Sequence, residues 1–279
     1  MDTYRPAVTW NLSRKGRLYR EASALVLSIP KSGRTWFRVI LSKYLALHFG
    51  QQIDIGGYNA AQAVVPNILY SHEMWSHRMT DSIRRRLLGF YICPDPVLRK
   101  KPVMVVHRDP RDVLVSLYFH ARKRSRRQYK GSISELVRDD LRGVRAMVVL
   151  LNTWRQRLAD KPDVLWVGYA DLHTNPFELV NMAIHILGIE PNADYINAAI
   201  AFSQFGNMRK LEEEGGLGQG FLSPRDSKDP ESFKVRSGKV GGYRQYLNDG
   251  DLAYIDQALD ELDPFFGYSS PGANSSSPR

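Results

Sequence analysis

The sequence predicts an α/β fold, a single domain in which a central parallel sheet is flanked by helices. Three short apolar segments carry that prediction: residues 24–29, 102–106 and 164–167. Each is rich in β-branched or aliphatic side chains, is too short for a helix, and leads into a helical pattern. Strands alternating with helices run parallel and are covered on both faces. Ligands of such sheets bind beyond the carboxyl ends of the strands.

The elements follow in order. The run 24–29 is closed by Pro30, and from 35 to 48 the apolar residues Trp36, Val39, Ile40, Leu41, Tyr44 and Leu47 recur mostly at three- and four-residue intervals. One buried helical face has this spacing, and Gly50 stops it. The run 102–106 leads through His107 and Arg108 to Asp109, a natural helix cap, and Pro110, a first-turn residue. Residues 133–158 read as one long helix. The run 164–167 leads to a helix beginning near Asn175-Pro176 and ending at Gly188. With no repeat and no linker, residues 4–268 are expected to form one domain. The Ser/Pro/Gly stretch 269–279 is expected to be a disordered tail, and the Gly-rich stretch 215–228 a mobile loop or lid.

Composition narrows the function. At 279 residues, 43% hydrophobic and 24% charged, the chain is of ordinary globular type, which excludes collagen-like, wholly disordered and disulfide-scaffold classes. Its one cysteine, Cys93, permits no internal disulfide. The longest apolar runs, 24–27 and 147–151, fall far short of the roughly 20 residues that span a bilayer. The basic opening residues lack the apolar stretch of a secretory signal, so a cytoplasmic location is expected. A net charge of +10 favours anionic ligands. The basic run 122–127 reads as a solvated loop or helix end, because no DNA-reading motif accompanies it.

Two segments carry chemistry. Pro30-Lys31-Ser32-Gly33-Arg34-Thr35-Trp36 lies between a strand and a helix start, where free amide groups and the positive end of the helix dipole bind phosphate. Gly33 lets the backbone approach, and Lys31, Ser32, Arg34 and Thr35 add donors. A Walker A loop is excluded, because Lys31 precedes the only glycine. The second segment is 108–116. It is not a kinase catalytic loop, since Leu114 stands where that loop needs asparagine. In a strand-to-helix turn Arg108 and Ser116 converge on one anion, and the structural alternative is an Arg108–Asp112 pair.

On these motifs the chain resembles, over nearly its whole length, the cytosolic-type sulfotransferases that use 3′-phosphoadenylyl sulfate (PAPS). The resemblance implies a P-loop-kinase-like sulfotransferase fold. Lys31, Ser32, Gly33, Arg34, Thr35 and Trp36 match the loop that grips the 5′-phosphosulfate, with Arg34 where threonine is frequent, and Trp36 is a candidate to stack on adenine. Arg108 and Ser116 keep the spacing of the 3′-phosphate site. Tyr169 matches a tyrosine near the adenine, and Phe205 and Met208 a further nucleotide contact. Arg236, Ser237 and Gly238 match a closing loop that clasps the 3′-phosphate, with Ser237 in place of lysine and Tyr243 in place of tryptophan.

The same resemblance implies in-line sulfuryl transfer with PAPS as co-substrate, adenosine 3′,5′-bisphosphate (PAP) as product and no metal. His72, in Tyr70-Ser71-His72, is the candidate general base and Lys31 the stabiliser of the leaving oxygens; Glu73 is a substitute base, with His77 and His107 ranked below. His48, His120, His173 and His185 read as packing or surface residues. The acceptor is expected to be the hydroxyl or amine of a small molecule, lipid or carbohydrate, with no nucleic-acid partner. Segments 91–97 and 215–228 are candidate pocket walls. Two other classes stay open at this point: a P-loop nucleotide or small-molecule kinase, and a non-catalytic anion- or nucleic-acid-binding module.

Overall fold

Among the described residues, four short strands form one parallel sheet in the order β2-β1-β3-β4: β1 (Ala24–Ser28), β2 (Ile68–Ser71), β3 (Val103–His107) and β4 (Val164–Gly168). The computed structural model describes residues 13–52, 65–87, 89–125, 128–215 and 222–268. The chain start, the expected tail 269–279, Arg126 and Arg127 of the basic run, and 216–221 of the expected lid lie outside them. Every residue of β1 and β3 is buried, which is why both read as unbroken aliphatic runs. The chain goes from β1 to β2 on one side and returns to β3 on the other. The carboxyl ends of β1 and β3 are therefore neighbours at the point where strand order reverses, with Ser28 opposite Val106.

The chain forms two compact units. The first, residues 1–107 and 161–238, contains the sheet. Its principal core joins Val26, Met104, Val106 and Leu165 of the strands to Phe37, Ile40 and Tyr44 of the helix α2 (Arg34–Phe49). Before the sheet comes a helix, α1 (Arg14–Glu21), capped by the Ser13 hydroxyl, which accepts from the Gly16 N–H. After β2 come α3 (Glu73–Arg78), α4 (Ile83–Leu87) and α5 (Asp95–Leu98). After β4 come α9 (Tyr169–Thr174), α10 (Pro176–Ile186), α11 (Ala193–Phe202) and α12 (Phe205–Glu213). Val180, Ala183 and Ile184 of α10 and Ile196 and Ala199 of α11 complete the core.

The second unit, residues 108–160 and 239–279, is helical where described: α6 (Pro110–Lys123), α7 (Ile133–Val137), α8 (Val144–Arg157) and α13 (Asp249–Leu259). Asp109 caps α6 by accepting from the Arg111 N–H at 2.8 Å, with Pro110 in the first turn, as expected from sequence. The buried Arg111 guanidinium ties α6 to α13 through Asp256 at 2.5 Å.

One expected element is corrected: residues 133–158 are two helices, α7 and α8. The Asp139 carboxylate accepts from the N–H groups of Leu141 and Arg142, at 3.0 and 2.8 Å, and so stops the first helix. Chain reversal then needs Gly143, where a Cβ would lie 2.4 Å from the Val137 carbonyl oxygen and 2.5 Å from that of Asp139. Apolar periodicity is blind to such a break, because both helices keep their buried faces. Gly143→Ala is expected to lower the unfolding free energy by about 1–3 kcal/mol, the usual cost of overpacking against rigid backbone. An unchanged urea midpoint would show that this turn yields more easily than its contacts imply.

Candidate active site

The turn after β1 delivers the chain to the start of α2 without a side-chain cap, and within it the Ser32 N–H donates to the Ile29 carbonyl at 3.4 Å. Lys31 and Gly33 both have left-handed backbone, with φ of 73° and 97°. For lysine this is an unusual conformation, held between β1 and α2. Gly33 is irreplaceable on two counts: its φ is positive, and a Cβ there would lie 2.4 Å from Cδ2 of the Tyr169 ring. It is also the N-cap of α2 and offers no side-chain cap, and the first turn of α2 holds no acidic residue. The positive end of a four-turn helix is thus left without an internal anion.

Cations gather at the same place. Arg34 opens α2, and its Nη1 is buried with no hydrogen-bond partner among the described residues. Burial, then the neighbouring Arg38, lowers its pKa to about 10, against opposing pulls from Tyr70 and Tyr19. No carboxylate pairs with it among the described residues. A buried cation without a counter-ion is costly, and the missing partner is an anion from outside the fold. Ser32 is buried in the turn, and the Trp36 ring packs against Tyr169 and His173, with centroids 5.8 and 4.6 Å away.

His72 follows β2, whose Ser71 lies opposite Leu27 of β1. This register brings the imidazole to the end of β1, where Nδ1 lies 2.8 Å from the Ser28 carbonyl oxygen and 3.3 Å from its hydroxyl. A carbonyl only accepts, so Nδ1 carries the hydrogen and Nε2 keeps the lone pair. Burial, then Arg34, pushes its pKa down to about 3; Lys31 and Lys15 push the same way, and the Ser28 bond opposes them. The ring is therefore a neutral base with its free nitrogen fixed. Glu73, the substitute base, is fully buried, and its Oε1 accepts from the Cys93 N–H at 2.5 Å, so its carboxylate is held by the fold. His107 ends β3 and burial lowers its pKa to about 4, while His77 lies on α3.

A cavity of about 420 Å³ opens beside His72 and Arg34. Its other walls include Arg14, Lys15, Tyr19, Tyr70 and Phe90. Sequence reading did not single out Arg14, Lys15, Tyr19 or Phe90, and of the expected wall 91–97 none lines this cavity. Lys15 comes from α1, whose amphipathic pattern marks a helix but says nothing of a pocket.

The remaining candidates divide between the units. In the first, Tyr169 closes over Gly33. Phe205 is 42% exposed and covers Gly238, where a Cβ would lie 2.5 Å from its ring. Arg236 pairs with Glu231 at 3.0 Å, beside Ser237. Met208 is buried with Val39 and Leu222, so its side chain packs in a core. In the second unit Arg108 lies 3.5 Å from Asp112 and donates to the Lys239 carbonyl at 2.8 Å. The structural alternative, an Arg108–Asp112 pair, is therefore present. Asp112 also accepts from the N–H groups of Gly241 and Tyr243, at 2.8 and 3.1 Å. Ser116 lies one turn beyond Asp112 on the same face of α6, the side on which Arg108 is held.

Comparisons with known proteins converge on one family. A sequence model of the family described as "Sulfotransferase domain" matches residues 21–262. Sulfotransferase 6B1 of Danio rerio is 22% identical over 248 residues, 85% of this chain and 77% of that protein. Cytosolic sulfotransferase 17 of Arabidopsis thaliana is 24% identical over 185 residues, 62% of this chain, and the match spans about half (53%) of the relative's length. Among solved structures, mouse sulfotransferase SULT7A1 complexed with PAP superposes with a TM-score of 0.63 at 17% identity, covering 88% of this chain and 87% of that one. Retinol dehydratase in complex with androsterone and PAP gives a TM-score of 0.58 at 16% identity, covering 88% and 82%. These likenesses support the expected fold.

Folded His72 and His107 both take up a proton less readily than an unfolded histidine, whose pKa is near 6.5. The unfolded chain therefore binds more protons below that value. Their contribution to stability is complete above about pH 6.5 and drains away as pH falls toward about 4 for His107 and about 3 for His72. The urea midpoint is expected to fall between about pH 7 and about pH 5, before most carboxylates protonate. A midpoint that holds or rises across that range would show that the two rings are not buried in neutral form.

Proposed function

Because the chain belongs to the sulfotransferase domain family, we propose that it transfers a sulfuryl group from PAPS to an acceptor hydroxyl or amine. The observation that carries the reading is the pairing, at one sheet end, of an open anion cradle with a neutral base. The cradle is the uncapped start of α2 with the unpartnered Arg34 guanidinium, and the base is His72 with Nε2 free. The group fits on the evidence of that orphaned buried guanidinium. Lys31, Ser32, Gly33, Arg34, Thr35 and Trp36 would hold the 5′ end of the donor. Arg236, Ser237 and Gly238 are proposed for its 3′-phosphate and Tyr169 and Phe205 for the nucleoside; the support for such a role of Arg108 and Ser116 is their motif spacing. Met208 would act only by supporting α12 from its core position.

The donor supplies the sulfuryl group; the protein supplies position, charge and a proton acceptor. His72 Nε2 takes the acceptor's proton as the acceptor oxygen bonds to sulfur. Lys31 and the α2 amides balance the charge gathering on the oxygen that leaves with PAP, the larger part of the catalytic task in such transfers. The Ser28 carbonyl keeps the imidazole in the productive tautomer and stabilises the imidazolium that forms. The kinase and non-catalytic readings lose their ground with the family match. The small-molecule acceptor and a cytoplasmic location are part of the proposal. They are supported by relatives named cytosolic sulfotransferases and by the finding that, among the described residues, no helix is long and apolar enough to cross a membrane.

His72→Ala is expected to lower turnover by roughly 100- to 10,000-fold while PAP affinity is kept. Lys31→Ala should damage both. Labelled-sulfate transfer with a parallel binding titration separates the two, and near-normal turnover in the His72 variant would reject the assigned base.

A further inference from the structure

The cavity beside His72 carries more positive charge than a neutral acceptor has use for. Its apolar walls include Tyr19, Tyr70 and Phe90, and its charged lining is Arg14, Lys15 and Arg34, with no carboxylate among the lining residues. Lys15 reaches in from α1, and its Nζ lies over aromatic rings, 4.3 Å from the Tyr91 centroid and 5.8 Å from that of Tyr19. Burial lowers its pKa to about 8, while Glu73 and Cys93 help to keep it charged. Glu73 thus offsets part of one charge from behind the wall. Behind Tyr70 a further cation, Arg38, stacks on the ring at 4.6 Å.

The donor accounts for some of this charge, since its phosphosulfate would sit on the α2 amides with Lys31 and Arg34. It does not account for Lys15, which belongs to a different wall of the cavity. A cation whose burial outweighs the pull of Glu73 is costly to keep, unless a ligand brings further opposite charge.

We propose that the acceptor bears its own fixed negative charge, a carboxylate or a phosphate, apart from the hydroxyl that receives the sulfuryl group, and that Lys15 selects it. This inference rests on the sulfotransferase reading. It predicts an acceptor built as an aromatic or apolar body with a hydroxyl toward His72 and an anion toward α1.

The test is sulfate transfer from PAPS to matched acceptors: 4-hydroxyphenylacetate against its methyl ester, and 4-hydroxyphenyl phosphate against phenol. The charged member of each pair is expected to show kcat/KM higher by at least about tenfold. The first pair reads carboxylate selection, the second phosphate selection, and success in either supports the proposal. In Lys15→Met the charged-to-neutral ratio should fall toward one, with the donor KM moved by less than about twofold. Equilibrium binding of the same pairs to the PAP complex reads the selectivity where turnover is slow. Neutral members equal or preferred in both pairs would overturn charge selection and leave sulfuryl transfer standing. So would a Lys15→Met variant that raises the donor KM without changing the ratio. A protein that neither binds PAP nor moves sulfate to any of the four would instead remove the sulfotransferase reading on which the inference rests.

Discussion

Positive charge without an internal counter-ion, at the point where strand order reverses, is the constraint from which the other features of the site follow. Arg34 is held at the start of α2 with a buried, unpartnered Nη1, on a helix whose N-cap, Gly33, supplies no side-chain cap. A protein core rarely tolerates such an arrangement, because desolvating a guanidinium with nothing to accept from it costs more than packing returns. The fold supplies the strength to bear it. Two fully buried parallel strands and the α2 face packed on α10 and α11 fix the turn from below.

His72 owes its character to burial first and to that charge second. An exposed imidazole is protonated about half the time near pH 6.5, whereas here burial and the nearby Arg34 keep it neutral far below that. The cation that attracts an anionic donor therefore also keeps the base unprotonated until the donor arrives. Negative charge bound at the turn would raise the basicity of Nε2, so proton acceptance strengthens when a donor is present to make use of it. A guanidinium at position 34 makes this coupling stronger than a neutral hydroxyl there would.

Much of this was legible in the sequence, and the limits have physical causes. β1, β3 and β4 announced themselves because aliphatic runs bounded by Pro, Gly and charged residues have few other uses. β2 was hidden: four residues, half of them only partly buried, carry no periodicity that separates a strand from a loop. The turn at Gly33 was readable because its residue types are individually demanding, whereas His72 was singled out only as the nearest match to the segment that holds the base in the family the chain resembles, with Tyr70 in place of that segment's lysine. The Arg108–Asp112 pair was foreseen as the structural alternative, and it is present in the structure. Lys15, Tyr19 and Phe90 could not be assigned to one cavity, since they are brought together by tertiary packing that no local pattern encodes. The break between α7 and α8 depended on the Asp139 side chain competing for backbone donors, a contest that hydrophobic spacing does not register.

The most direct test of the central claim follows the His72 imidazole by NMR as pH is lowered, with and without saturating PAP. Free protein should keep the ring neutral down to about pH 5, and the PAP complex should show it titrating at least about one unit higher than the free form, as an anion delivered to Arg34 and Lys31 requires. A titration left unchanged by saturating PAP, or moved downward, would contradict the claim that the charge gathered at this turn awaits the sulfonucleotide.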